Sequence, residues 1–271
     1  MMLLLCLLLL GTSVAADHEL MCTVIPGNLK QVDAGAGKVY GVNDNGNIFR
    51  WVKGEWKQIP GALIHVTVGP AGVWGVNEMN TIHKLQDDEW VPVSGKMKQI
   101  DAGGAKFLAG TDGDNWVYCL NQDQTVSKST DPSFTKIEGS LNYYSSGPMG
   151  CWGTDTNNKV MFRFDVQPMT CQGSFWKTIE GSLVMVEVGT DGSVYGVDPE
   201  GKVYKREGIS CTNHVGTSWT QLDLPGTFKH VSYDRGWLWL VRQNGEVLKC
   251  NVKHHSSPDG KHGPHDKKKK Q

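Results

Sequence analysis

A short phrase recurs six times along the chain, and nothing else in the sequence limits the fold as strongly. The copies are VYGVNDNGNIFRW (39–51), VWGVNEMNTIHKL (73–85), LAGTDGDNWVYCL (108–120), CWGTDTNNKVMFRF (151–164), VYGVDPEGKVYKR (194–206) and LWLVRQNGEVLKC (238–250). One polar position falls in register in all six: Asn43, Asn77, Asp112, Asp155, Asp198 and Arg242. A period of this length is the mark of a repeat architecture and has to be read before anything else. Each copy follows an alternating segment, such as LKQVDAG or LVMVEVG, that reads as a strand with one packed face. Five copies are followed by a closing phrase of the W-x-x-I-x-G type, as in WKQIPGA, WVPVSGK, FTKIEGS, WKTIEGS and WTQLDLPGT. Each unit therefore parses as four strands, A to D. Asn45-Gly46, Glu200-Gly201 and Asn244-Gly245 supply the left-handed positions that the B–C hairpins need.

Four antiparallel strands repeated six times is the arithmetic of a propeller. A solenoid would need polar caps at both ends. A ring has no ends, and the sequence shows how this one closes: the sixth copy stops after strand C at Cys250, and the missing closing phrase, CTVIPGN, stands at 22–28. The expected fold is all-β, a six-bladed β-propeller over 17–252 closed by the N-terminal strand completing the last blade. Cys22 takes the place of Trp56 in blade 1 and Cys250 that of Trp51, so a Cys22–Cys250 disulfide is expected to lock the ring.

The first sixteen residues, MMLLLCLLLLGTSVAA, form an apolar run ending in small residues and read as a secretory signal peptide cleaved near Ala16. No later run is long enough for a transmembrane helix. Export leaves six cysteines in an oxidising compartment, and disulfides follow. The long C–D insertions of blades 4 and 5 crowd one rim, which favours Cys119–Cys171 and leaves Cys151 either paired with Cys211 or, like it, free. No CxxC pair or finger-like His spacing supports zinc. A formal net charge of −1 offers no general attraction to nucleic acid or anionic membrane. Residues 253–271, with His254, His255, His262, His265 and Lys267 to Lys270, have the composition of a disordered His/Lys-rich tail.

The GVN core, the DAG and VGPAG phrases and the W-x-x-I-x-G strand resemble the tectonin repeat, and the order of blades is similar to that of the fish-egg lectins, relatives of the tachylectin group. The resemblance covers about residues 20–252 and draws its specificity from six copies in register. It implies a secreted lectin that binds N-acetylglucosamine or related sugars and recognises bacterial surface glycans such as lipopolysaccharide and peptidoglycan, in innate defence of eggs or body fluids. It also implies an association with calcium, although no cofactor is required. Ser145 and Ser146 stand where the family would place a cysteine partner for Cys151.

In a propeller the D–A and B–C connections share one face. The B–C turns NDNGN, NEMNT, TDGDN, TDTNNK, DPEGK and RQNGE make that face a ring of amides and carboxylates, groups that orient sugar hydroxyls. Asn43, Asn77, Asp112, Asp155 and Asp198 are the candidate sugar-binding residues, with Arg242 the divergent sixth. Tight hairpins demand the same residue types, so a purely turn-forming role competes at each. TDGDN and NDNGN offer oxygens to calcium but lack the glutamate twelve positions along that an EF-hand loop requires. Trp56, Trp90, Trp176 and Trp219 begin strand D in one phase and read as blade packing. Trp74, Trp152, Tyr195 and Trp239 share a phase of strand B and are the aromatic candidates for stacking on a pyranose.

Repetition of one polar position favours a lectin with several quasi-equivalent sites, whose weak contacts gain by multivalency; homo-oligomer formation stays open. Two other classes compete. A protein-binding scaffold would need an apolar patch on one face. A calcium-dependent hydrolase would concentrate unlike residues at the central channel, whereas like residues recur here, and no catalytic motif is present.

Overall fold

The computed structural model describes residues 20–252. The expected signal peptide at 1–16 and tail at 253–271 lie outside them. The described residues form six four-stranded antiparallel sheets. Blade 1 runs Gln31–Gly35, Lys38–Val42, Ile48–Val52 and Glu55–Ile59 from the axis outward. Blade 6 takes Phe228–Asp234, Trp237–Arg242 and Glu246–Val252 from the end of the chain and Leu20–Asn28 as its outer strand. Cys22 faces Cys250 in register, as Trp56 faces Trp51 in blade 1. The disulfide between them is formed, as is Cys119–Cys171.

The B–C turns explain their own sequence. The side chain at the repeated Asx position accepts from backbone N–H groups two and four residues on: Asn43 from Asn45 and Asn47, Asp112 from Asp114 and Trp116, Asp155 from Asn157 and Lys159. Three residues after it the backbone enters the left-handed region, at Gly46 (φ 78°), Asn80 (60°), Asn115 (68°), Asn158 (63°), Gly201 (79°) and Gly245 (91°). Only glycine and asparagine occupy that position, as the steric cost of a positive φ predicts.

Six buried clusters make up the core, each straddling two neighbouring blades. The closing phrase is an inter-blade joint. Its Trp lies against the phrase-ending glycine of the blade before, so that a Cβ at Gly61 would stand 2.8 Å from Trp90 and one at Gly181 3.2 Å from Trp219. The indole N–H of Trp176 donates to the Glu138 carbonyl at 2.6 Å, and that of Trp219 to the Glu180 carbonyl at 2.8 Å.

Two features differ from the sequence reading, and one alternative it left open is decided. Strand A is buried on both faces in blades 1 and 2, not on one. Its polar side chains bond to the next blade: Gln31 donates to the Val66 carbonyl (2.8 Å) and accepts from the Val66 N–H (3.1 Å), and Gln99 does the same with Tyr144. A one-turn helix, Gln122–Val126, interrupts the C–D connection of blade 3. Cys151 and Cys211 are not bonded to each other; Cys151 is sealed between blades 3 and 4 beside Tyr144, while Cys211 is exposed on the C–D loop of blade 5. Of the two states left open for them, the free one holds.

Candidate functional site

On the face formed by the D–A and B–C connections, open clefts lie along the seams between blades. The cleft at the seam of blades 2 and 3, about 360 Å³, is lined by Asp112, Tyr118, Phe134 and Gly95 to Met97. At the seam of blades 4 and 5, a cleft of about 230 Å³ repeats the arrangement with Asp198, Tyr204, Trp219 and Gly181 to Leu183. The Tyr stands six residues after the Asp in both. Burial and the neighbouring Asp112 carboxylate raise the Tyr118 phenol above its ordinary range, and Asp198 contributes in the same way at Tyr204. Each cleft thus offers an acceptor, a phenol O–H and an aromatic face, the set that fixes a pyranose by its hydroxyls and its apolar side. A third cleft of about 400 Å³ at the seam of blades 1 and 2 includes Asn77, with Asp44, Asn45 and Met79, but no aromatic ring.

The sequence candidates divide accordingly. Asn77, Asp112 and Asp198 line clefts, whereas Asn43 and Asp155 hold the same turn position outside them. In Asn43, Asn77, Asp112 and Asp155, Oδ1 is already engaged by two backbone amides, so the other side-chain atom is the one presented outward. Arg242 pairs with Glu246 at 2.8 Å.

The aromatic candidates of strand B require correction. Trp74, Trp152, Tyr195 and Trp239 are all at least 98 % buried between blades. The Trp74 indole N–H donates to the Ala71 carbonyl in the A–B turn, on the face opposite the clefts. Cross-strand neighbours on strand C cover them: Lys84 lies 5.0 Å over Trp74, Lys249 5.3 Å over Trp239, and Phe162 packs edge-on to Trp152 at 5.1 Å. Their phase reflects packing and cation–π pairing. The rings that do line clefts, Tyr118, Tyr204, Phe134 and Trp219, sit on strands C and D; the signal available was the aromatic six residues after the turn Asx.

At the axis, the strand A position held by Asp33 in blade 1 alternates between carboxylate and hydroxyl around the ring: Asp33, Thr67, Asp101, Ser145, Glu187 and Ser232, all buried. Ser232 donates to Asp33 at 3.0 Å, and Ser145 stands 3.4 Å from both Asp101 and Glu187. Burial, and then the charge of Asp33, push the Asp101 carboxyl up to about 7. The same two causes, with the charge of Asp101 added, hold Glu187 well above the carboxylate range. Burial lowers His65 to about 4 and His230 to about 3. Tyr143 links this ring to His230, its hydroxyl 3.3 Å from Glu187 and 3.1 Å from His230. Among the described residues no three His, Cys, Asp or Glu side chains converge to hold a metal ion. In the NDNGN and TDGDN turns Oδ1 of Asn43 and of Asp112 each accepts from two backbone amides.

Inter-blade clefts built from a turn carboxylate and paired aromatics, on a ring of six like sheets, define a β-propeller of repeated units. The Tectonin domain family matches residues 28–243, and the chain belongs to that family. The fish-egg lectin of Cyprinus carpio is 52 % identical over 232 residues, covering 84 % of this chain and 98 % of that protein. The perivitellin-2 31 kDa subunit of Pomacea maculata is 30 % identical over 109 residues, 40 % of this chain and 33 % of that subunit. Among solved structures, the gluconolactonase XC5397 of Xanthomonas campestris superposes with a TM-score of 0.62 at 10 % identity, covering 88 % of this chain and 91 % of that one. Virginiamycin B lyase of Staphylococcus aureus gives 0.55 at 15 %, covering 82 % and 80 %. At such identities the likeness is one of fold.

Proposed function

We propose that the protein is a secreted lectin that takes N-acetylglucosamine-type sugars in its seam clefts and thereby recognises bacterial surface glycans such as lipopolysaccharide and peptidoglycan. The observation that carries this reading is the recurrence of one constellation, Asp112–Tyr118–Phe134 and Asp198–Tyr204–Trp219, at equivalent places on two seams. The fish-egg lectin relative supports it. Each cleft is open and shallow, so one sugar buries few atoms and binds weakly; two or more such clefts on one face gain on a polyvalent surface through effective concentration. Nothing in this reading requires a catalytic group or a cofactor. Two disulfides accord with an exported protein, and a role in the innate defence of eggs or body fluids follows from the ligand class.

Retention on N-acetylglucosamine or chitin resin with elution by the free sugar is the expected result. A glycan array run with and without calcium tests ligand class and metal need together. No retention and no array signal would reject the reading.

A further inference from the structure

On the opposite face, formed by the A–B and C–D connections, blade 6 departs from the repeat at one cleft. Strand A ends in glycine at Gly35, Gly69, Gly103, Gly147 and Gly189, and a Cβ at Gly35 or Gly69 would stand 2.1 Å from a carbonyl oxygen of the next blade. Blade 6 carries Asp234 there instead. Asp234 is 5 % exposed; its Oδ2 accepts from the Gly37 N–H of blade 1 at 2.7 Å, and its Oδ1 has no hydrogen-bond partner among the described residues. A cleft of about 270 Å³ opens at this seam, lined by Trp51, Asp234, Arg235, Trp237, Trp239 and Lys249.

Its cations are held only loosely. At the strand C position of Lys249, Lys84 donates to the Thr125 and Ser127 carbonyls and Lys205 pairs with Glu207. Among the described residues Lys249 makes neither a hydrogen bond nor an ion pair; it lies 3.9 Å over Trp237 and 5.3 Å over Trp239. Arg235 is 71 % exposed, with Nε 3.9 Å from Asp234 Oδ2. Trp237, 39 % exposed, presents an indole beside both cations. Two cations over one buried carboxylate leave the cleft net positive. An acid group seated between Arg235 and Lys249 would meet a forked donor and an ammonium, a ring attached to it would lie along Trp237, and a ring hydroxyl could donate to Asp234 Oδ1 once Arg235 turned toward the ligand.

We infer that the seam of blades 6 and 1 is a second ligand site, specific for an anionic saccharide: a carboxylated or phosphorylated hexose. It is separate from the turn-face clefts and does not depend on their occupancy.

Titration of the full chain with D-glucuronate, followed by calorimetry and by the indole N–H resonance of Trp237, tests this. The resonance is assigned by its loss in Trp237→Phe. Saturable binding that shifts this resonance, weakens with added salt and falls about tenfold or more in Arg235→Gln/Lys249→Gln is expected. Thermal unfolding verifies that the variant folds, and the wild-type resonance stands as evidence without it. Glucose 6-phosphate separates a carboxylate source from a phosphate one; binding of either by the same residues supports the site. N-Acetylglucosamine, lacking the acid group, should leave the Trp237 resonance in place. The site is refuted if neither anionic sugar binds, if binding is unchanged in the double variant, or if acetate or inorganic phosphate binds as tightly as the sugars, since the ring would then contribute nothing.

Discussion

Arg163 reaches out of blade 4 and grips Glu138 of blade 3 with two hydrogen bonds, Nη1 to Oε1 at 2.6 Å and Nη2 to Oε2 at 3.1 Å. Its Nε donates to the Gln172 carbonyl (2.8 Å), so the guanidinium also anchors the C–D insertion of its own blade. The arrangement recurs one seam later between Arg206 and Glu180. Arg163 is 2 % exposed and Glu138 67 %, so most of the energetic consequence lies with the arginine, whose buried guanidinium also holds the carbonyls of the insertion. Arg163→Met should cost about 1–3 kcal/mol in urea unfolding, and Glu138→Gln less than about 1 kcal/mol. Equal losses from both would mean that the exposed ion pair, rather than the anchored loop, is what matters.

The two disulfides differ in what they close. Cys22–Cys250 spans 228 residues and Cys119–Cys171 spans 52. The chain-entropy model assigns about 5 kcal/mol to the first and about 4 kcal/mol to the second. Double Cys→Ser replacement at 22 and 250 should therefore lower the denaturation midpoint more than the same change at 119 and 171. A reversed order would show that the ring is held by packing of its closing strand alone.

Asp101 gives stability a pH dependence of defined sign. Folded, it keeps its proton to about pH 7; unfolded, it releases it near 3.8. The native state binds more protons in that window, so its contribution is present at acid pH and lost as pH rises through about 7. His65 and His230 act oppositely: their folded values of about 4 and about 3 mean that stability falls as pH drops below about 6.5. Asp101→Asn isolates the first effect. The unfolding free energy of wild type minus variant should decline from about pH 4 to about pH 7 and level off above. Parallel curves across that range would remove Asp101 as the cause.

The seam clefts can be told from the buried aromatics by substitution. Tyr118→Phe with Tyr204→Phe should weaken retention on N-acetylglucosamine resin by about tenfold, as expected for loss of a hydrogen bond in each cleft, while leaving the melting temperature nearly unchanged. Trp74→Ala should do the reverse, costing about 3–5 kcal/mol of stability without a specific loss of sugar binding in the folded fraction. Loss of binding in Trp74→Ala at full foldedness would restore the strand B aromatics as contacts.

The ring and its closure were legible because both are written as repetition: six phrases in register, and a closing strand found at the wrong end of the chain. Cys22 and Cys250 could be paired because they occupy the Trp56 and Trp51 positions of blade 1, and the structure sets both pairs opposite each other. What escaped depends on neighbours in space. Alternation in LKQVDAG says which side chains share a face but not that a second blade covers the other, so the burial of Gln31 and Asp33 could not be read from it. Trp74 and Trp239 looked available because Lys84 and Lys249, which cover them, stand ten residues on, in the adjacent strand. Trp219 reads as packing in strand D, and it is packed there; that it also walls a cleft depends on the B–C turn beside it.

The alternation of carboxylate and hydroxyl at the axis ties the architecture to parity. Each acid has a hydroxyl-bearing blade on either side, which a closed circuit permits only with an even number of members. Loss or gain of a single blade would set two acids, or two alcohols, side by side somewhere in the ring. At this position the repeating module is the doublet of adjacent blades, and a form that kept the alternation would change by two.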